Sequence, residues 1–158
     1  MARDGLSERE CAEILGELRR QCCSVNDELL VWLASTFALK APVDFDPNDL
    51  ALLLNQPERK VIRQKTFSQD ITPTDALEAL LSEVGAEDSC SGGLLILRST
   101  AKRINEYWTC SIGAVMGRFH ESIGPNTDAV YSVLVDEQLD VSFELFVLIA
   151  VSSSPSFE

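Results

Sequence analysis

The sequence lacks the residue patterns that most often mark a metal site or a nucleotide site. It has five cysteines but no pair with the Cys-x-x-Cys spacing, and His120 is its only histidine. A zinc site made of cysteine and histidine ligands is therefore not expected. No EF-hand, Walker-type or Gly-x-Gly-x-x-Gly pattern is present either. We expect no metal, no cofactor and no catalytic residues.

Long apolar runs and basic residues are also scarce. No run of about 18 apolar residues occurs and the N-terminus carries no apolar signal, so we expect neither a membrane span nor secretion. The 25 acidic residues outnumber the 13 basic ones, and no lysine or arginine follows Arg118. A net charge of −12 should repel nucleic acid and anionic membranes. The acidity either keeps the protein soluble or forms a face that meets a basic partner segment.

What is present indicates one domain, or one domain with an extension. Apolar residues make up 46% of the 158 residues, which is enough for a core. An odd number of cysteines fits a reducing, cytoplasmic compartment. We expect a helical extension over 1–58 and an α+β domain over 59–158.

Helical periodicity dominates the N-terminal part. Ser7 and Glu10 have the spacing of a capping box, which predicts an amphipathic helix over 8–22. A second helix over 29–39 and a short one over 48–55 complete the extension, whose first two helices form a hairpin.

The middle of the chain predicts two further helices. The run Thr-Pro-Thr-Asp at 72–75 marks a helix start, and Gly85 marks its end. Apolar residues from Leu94 to Ile104 line a second helix that ends near Tyr107. Before these two helices, the run over 58–65 contains the only basic cluster of the chain. Val61 and Ile62 are β-prone, which is compatible with an isolated strand over 61–67.

The last third, from Trp108 to Val151, reads as four short β-type runs with no long helical pattern between them. Val130–Leu134 and Val141–Val151 are expected to pair as a hairpin. The last strand is almost continuously apolar, so it needs cover on both faces, by the helices and by a further element such as a partner chain. The residues that we expect to form this core or dimer strand are Phe143, Leu145, Val147 and Ile149.

These elements predict an α+β fold. Two helices pack on a four-stranded antiparallel sheet, and an N-terminal helical hairpin extends the domain.

A series of motifs follows in order along the second half of the chain: DALEALLSEVGAED (75–88), TCSI (109–112), GRFHES (117–122), and the Thr-Asp turn at 127–128 with the strands YSVLVDE and FELFVLIAV. Together they resemble the Tctex-type dynein light chains over residues 66–151. The aromatic-Asp pair that usually follows the family's second strand is missing, and the segment after that strand is shorter.

The resemblance implies a non-catalytic adaptor that forms a homodimer or heterodimer. Such an adaptor binds a linear peptide of a dynein intermediate chain or a cargo protein by strand addition at a sheet edge. It implies a cytoskeletal setting, in a cytoplasmic, ciliary or flagellar microtubule motor complex. When the family's peptide-binding edge strand is placed on the matching positions of this sequence, it consists of Gly117, Arg118, Phe119, His120, Glu121 and Ser122. An internal strand at these positions is the alternative.

Two other resemblances leave alternatives open. WTCSIGAVMGRF (108–119) is similar to the hub-type small dynein light chains, which have one strand fewer after their helices. ILGELRRQCCSVNDELLVWLASTF (14–37) is similar to the dimerisation/docking helices of the cAMP-dependent kinase regulatory subunit. That similarity implies a structural scaffold that binds an amphipathic helix through its N-terminal hairpin. The other interpretation of this hairpin is a helical extension that packs on the domain.

An enzyme that uses Cys110 as nucleophile and His120 as base is the least favoured interpretation. Cys110 lies in a predicted strand, where a buried small apolar role is more common, and no third residue orients the pair.

Overall fold

The computed structural model describes residues 2–22, 25–68, 70–84, 90–107, 112–124 and 127–151. Within these ranges, no helix is both long and apolar enough to cross a membrane. The elements of the described ranges are α1 (Glu8–Gln21), α2 (Asp27–Ser35), a 3-10 helix (Thr36–Ala38), β1 (Lys40–Val43), α3 (Pro47–Leu54), β2 (Arg59–Phe67), α4 (Pro73–Val84), β3 (Cys90–Ser99), α5 (Ala101–Tyr107), α6 (Gly113–Ile123), β4 (Asp128–Val135) and β5 (Phe143–Val151).

The N-terminal helices begin at side chains that cap them. The Ser7 hydroxyl accepts a hydrogen bond from the Glu10 amide at 3.1 Å, and the Glu10 carboxylate accepts one from the Ser7 amide at 3.1 Å. The predicted capping box is therefore confirmed. Asn26 caps α2 and Asp46 caps α3 through their side-chain oxygens. The first and third predicted helices agree with α1 and α3, and the second ends in the 3-10 helix.

One mixed sheet organises the fold, with the strand order β1-β4-β3-β5-β2. Its strands pair antiparallel, with the exception of β3 and β4, which are parallel. The α+β class is confirmed, but the prediction of four antiparallel strands is wrong, because the described residues form five strands in a mixed sheet. The predicted hairpin of β4 and β5 is also wrong, because β3 lies between these two strands.

Two apolar segments have the opposite structure from the predicted one. Residues 94–99 were expected in a helix and belong to β3, which α5 then follows. Residues 113–123 were expected in strands and form α6. Gly93 in β3 brings α6 close to the sheet, because a Cβ atom at this position would lie 2.8 Å from Cζ of Phe119. Residues 108–111, the start of the first β-type run WTCSIGAV (108–115), lie outside the described residues.

Both faces of the sheet are covered by helices of the same chain. All nine residues of β5 are buried. Phe143, Leu145, Val147 and Ile149 pack into one apolar cluster with α4, α5 and α6, whereas Phe146, Leu148 and Ala150 pack into a second cluster with α1, α2 and α3. The cover on the second face is therefore the N-terminal helices rather than a partner chain. The division at residue 58 stays a prediction, although residues from both sides of it share the second cluster.

Candidate functional site

The six residues of the predicted edge strand lie in helix α6. A helix satisfies its backbone N–H and C=O groups internally, so it offers no edge for an added strand. The ring of Phe119 is buried and lies edge-on to Tyr131, with the centroids 6.1 Å apart. His120 Nε2 is 3.2 Å from the carbonyl oxygen of Thr127.

The polar residues of α6 serve the packing of helices. The Arg118 guanidinium pairs with Glu78 of α4, which raises the pKa of Arg118, and it also contacts Ser122 Oγ at 2.8 Å. Gly117 and Glu121 are exposed. The expected edge at 117–122 is therefore a helix that ties α4 to the sheet.

The predicted core or dimer strand serves the core of the chain. Phe143, Leu145, Val147 and Ile149 are completely buried under α4 and α6. A dimer contact through these side chains would require the helices to leave the sheet. The apolar character of β5 thus has an explanation within one copy of the chain.

The described residues contain no group of three or more His, Cys, Asp or Glu side chains that could hold a metal ion. Cys110 lies outside the described residues, so the structure does not test it as a nucleophile. Burial raises the pKa of the Cys11 thiol, which keeps it protonated and a poor nucleophile at neutral pH.

A groove runs beside the first half of β4. The neighbouring strand β1 pairs with β4 only at Val133 and Val135, so among the described residues Asp128–Tyr131 have a partner strand on the β3 side alone. A cavity of about 430 Å³ lies beside this unpaired stretch. We call it the β4 groove; its lining includes Asp44, Asp49, Leu52, Gln56, Asp128 and Tyr131.

The β4 groove combines an apolar wall with uncompensated acids. Leu52 of α3 is 69% exposed, the largest exposure among the large apolar side chains of the described residues. Asp44 is paired with Arg3, but Asp49 and Asp128 are exposed and form no ion pair with any described residue. Burial raises the pKa of Tyr131, whose hydroxyl lies 3.4 Å from the carbonyl oxygen of Met116. The groove is therefore suited to an extended segment with positive charge.

The opposite edge of the sheet is strand β2, whose only partner strand in the described ranges is β5. Its nine residues include four of the 13 basic residues of the protein. In the described part of the chain, none of these four cations forms an ion pair with an acid. Lys60 donates to the backbone carbonyls of Gln56 and Glu58, and burial lowers the pKa of Lys60. We call the outer side of β2 the basic edge.

The sequence pointed to only part of this arrangement. The basic cluster over 58–65 and the alternative strand over 61–67 anticipate β2. The β4 groove was missed, because it depends on how far β1 follows β4, which is a long-range property. The acidic face that meets a basic partner segment stays a prediction.

The comparisons with known proteins show the fold. No protein-family model matches the sequence, and no curated protein matches it either. Among solved structures, the chain is similar to the FtsZ dimer of M. jannaschii, with a TM-score of 0.62 and 16% identity over 78% of this chain and 37% of that chain. It is also similar to a GTPγS-form protofilament of TubZ from Bacillus thuringiensis serovar israelensis (TM-score 0.51, 12% identity, 89% of this chain and 40% of that chain). A helical model of a four-stranded TubZ filament gives a TM-score of 0.51 and 12% identity, over 94% of this chain and 41% of that chain.

These similarities overturn the expected family. The fold is similar to part of the fold of FtsZ and TubZ, so the assignment to the Tctex-type dynein light chains over 66–151 is wrong, as is the function of a dynein light chain adaptor. The predicted setting in a cilium or in a microtubule motor complex is therefore not supported either. The alternative of a helix-docking scaffold over 14–37 also fails on packing, because Leu18, Leu30 and Leu33 are buried against the sheet. The chain spans about two fifths of the length of the structures that it matches.

Proposed function

We propose that this chain is a non-catalytic assembly domain with the tubulin-like fold, which associates with further copies of itself in a cytoplasmic cytoskeletal structure. One observation supports the proposal: 78% of the chain aligns with part of a chain in the FtsZ dimer structure, at a TM-score of 0.62. The filament of TubZ supports it, since 94% of this chain matches that protein. We propose no nucleic acid and no membrane as partner, in keeping with the net charge of −12.

The proposal does not extend to nucleotide chemistry. The sequence has no glycine-rich phosphate loop, and the similarity covers only 37–41% of the FtsZ and TubZ chains. The shared portion is thus proposed to contribute protein contacts, without binding or hydrolysing a nucleotide itself.

The geometry favours association through the edges of the sheet. Helices of the same chain cover both faces, so the apolar surface of the strands is already buried. In the part of the chain that the structure describes, the sheet edges keep backbone groups without partner strands, along β2 and beside Asp128–Tyr131. Unpaired strand edges are a common route to association between chains.

Light scattering coupled to size-exclusion chromatography, together with sedimentation velocity, tests the proposal. The complete chain should show a mass above that of the monomer that grows with protein concentration and returns to the monomer on dilution. Reversibility separates specific association from aggregation. A monomer at every concentration and salt level would overturn the proposed function.

A further inference from the structure

We infer that copies of this chain join head to tail, with the basic edge of one copy lying in the β4 groove of the next. The inference rests on the proposed function and names the contact through which the copies associate. The occupant of the groove is a second copy of this chain, and the contact extends the sheet from one copy into the next.

The backbone of each partner supports this pairing. In the β4 groove, the four residues Asp128–Tyr131 pair within the described part of the chain only on the β3 side; Asp128 is exposed and the other three are half-buried. Along the basic edge, Gln64, Lys65 and Thr66 are exposed and pair only with β5. Alternate N–H and C=O groups of a strand with one partner point away from that partner, so each side can supply the hydrogen bonds that the other lacks.

The charges of the two surfaces are complementary. Asp49 and Asp128 of the β4 groove have no ion pair, and neither has Arg63 or Lys65 of the basic edge, among the described residues. Arg63 and Lys65 are two residues apart in β2, so they lie on the same face of the strand. Leu52, which is 69% exposed at the groove, adds an apolar contact.

The same charges exclude the symmetric alternatives. Two basic edges would place lysines and arginines against each other, and two β4 grooves would do the same with carboxylates. Because β2 lies at the opposite end of the sheet from β1 and β4, each copy that binds through its groove leaves its basic edge available. Such a heterologous contact produces an open filament of copies, unless the rotation between neighbouring copies closes a ring.

A second acidic groove, of about 370 Å³, lies between α1 and α3 and is a weaker candidate. Two of its glutamates are already paired, Glu13 with Arg9 and Glu17 with Arg20, and Glu10 bonds to Ser7. Its lining comes from helices and their flanking residues, so it offers no strand edge. The β4 groove combines unpaired acids with a strand edge, whereas the groove between α1 and α3 does not, so the β4 groove is the better candidate for the contact.

A charge-swap experiment on the complete chain tests the inference. The variant D49K/D128K reverses the groove and R63E/K65E reverses the edge; each should weaken association on the order of tenfold or more, because like charges then meet. An equimolar mixture of the two variants restores complementary pairs between different copies and should associate again. The quadruple variant D49K/R63E/K65E/D128K reverses the charge of both the groove and the edge, so it should associate on its own. Salt should weaken association of the unmodified chain, since the Debye length falls from about 10 Å at 0.1 M to about 3 Å at 1 M.

Matched controls change the net charge equally at other exposed sites. E83K/E106K is the control for the groove variant and R9E/K102E for the edge variant, and both should associate as the unmodified chain does. An uncharged pair of variants adds a second test: Leu52→Ser should weaken association, whereas Val31→Ser, at an apolar residue of α2 that is 43% exposed, should not.

Circular dichroism confirms that each variant is folded, and D49N/D128N replaces the lysine variant if that protein does not fold. Association of D49K/D128K as strong as that of E83K/E106K, or a mixture of variants that stays monomeric, would overturn this inference and leave the proposed function standing. An unmodified chain that never associates would overturn the proposed function itself.

Discussion

A buried ion cluster at one end of the sheet leads to a stability prediction with a defined magnitude. Arg98 of β3 faces Glu144 of β5, with Nη2 3.0 Å from Oε2, and its Nη1 lies 3.6 Å from Oδ2 of Asp136. The side chains of Arg98, Glu144 and Asp136 are 21%, 9% and 15% exposed. Arg98 Nε is buried and has no hydrogen-bond partner within the described part of the chain. The guanidinium therefore depends on two carboxylates for charge compensation.

Removing one partner should cost more than removing the pair. Glu144→Leu leaves the guanidinium buried with Asp136 alone, which should lower the free energy of unfolding by about 3 kcal/mol. The double variant R98M/E144L removes the buried cation as well and should lie within about 1 kcal/mol of the unmodified chain. With the single variant Arg98→Met completing the double-mutant cycle, the coupling energy of Arg98 and Glu144 is then about 2 kcal/mol or more.

Urea unfolding followed by circular dichroism measures both quantities. The midpoint should fall for Glu144→Leu without a change in the denaturant slope, and the thermal midpoint should fall by roughly 6–12 °C. Glu83→Leu makes the same chemical change on an exposed helix position and should alter stability by no more than about 0.5 kcal/mol. The reasoning is refuted if Glu144→Leu is as mild as this control, or if the two single effects simply add in the double variant.

Three further stability predictions and one binding prediction follow from single contacts. Phe119→Ala should lower the free energy of unfolding by about 3–5 kcal/mol in urea titration, because the buried ring fills the space between α6 and β3. Gly93→Ala should cost about 1–3 kcal/mol in the same assay, and Phe119→Leu in the same chain should relieve part of that cost. Hydrogen bonds from the backbone and side chain of Ser7 lower the pKa of Glu10, so its carboxylate stabilises the fold above its unfolded pKa and loses this contribution as the pH falls through the lowered value. The stability difference between the unmodified chain and Glu10→Gln should accordingly shrink on acidification, as measured by urea titrations at several pH values. GTPγS with Mg²⁺ should leave the thermal midpoint of the chain unchanged, and a shift that grows with nucleotide concentration would contradict the proposed absence of nucleotide binding.

Elements with a local signal could be predicted from the sequence. The capping box of Ser7 and Glu10 positions the start of α1, because both of its hydrogen bonds form within one helical turn. The Thr-Pro start of α4 works in the same way, with the Thr72 hydroxyl accepting from the Asp75 amide at 3.1 Å. Such signals need no knowledge of the rest of the fold.

The exchange of helix and strand at β3 and α6 has a physical reason. The run Leu94–Leu97 is buried on both sides of the sheet, and a continuous apolar run has no period that distinguishes a strand from a helix. In α6, Val115, Phe119 and Ile123 are spaced four residues apart, as expected for a helix face. The glycines at 113 and 117 and the β-prone neighbours obscured this spacing, although the period alone could have identified the helix.

The pairing of the strands could not be predicted in this way. β3 and β4 are parallel neighbours because α5 and α6 lie between them in the chain, and a parallel pair needs such a connection. Because residues 113–123 were predicted to form strands, no helical connection between β3 and β4 was expected. An antiparallel hairpin of β4 and β5 was then the simplest arrangement. The β4 groove could not be predicted either, since its position depends on where β1 stops pairing with β4.

The completely buried strand β5 links these errors to the proposed function. Its nearly continuous apolar sequence correctly indicates that both faces are covered, but it does not indicate whether the cover comes from the same chain. A partner chain on that face would have made association a requirement for burying the core. Because α1, α2 and α3 supply the cover instead, a single copy can bury its core, and association can respond to charge and salt without unfolding the domain. Contacts at the basic edge and the β4 groove fit this situation, since both consist of exposed backbone and unpaired charges rather than core side chains.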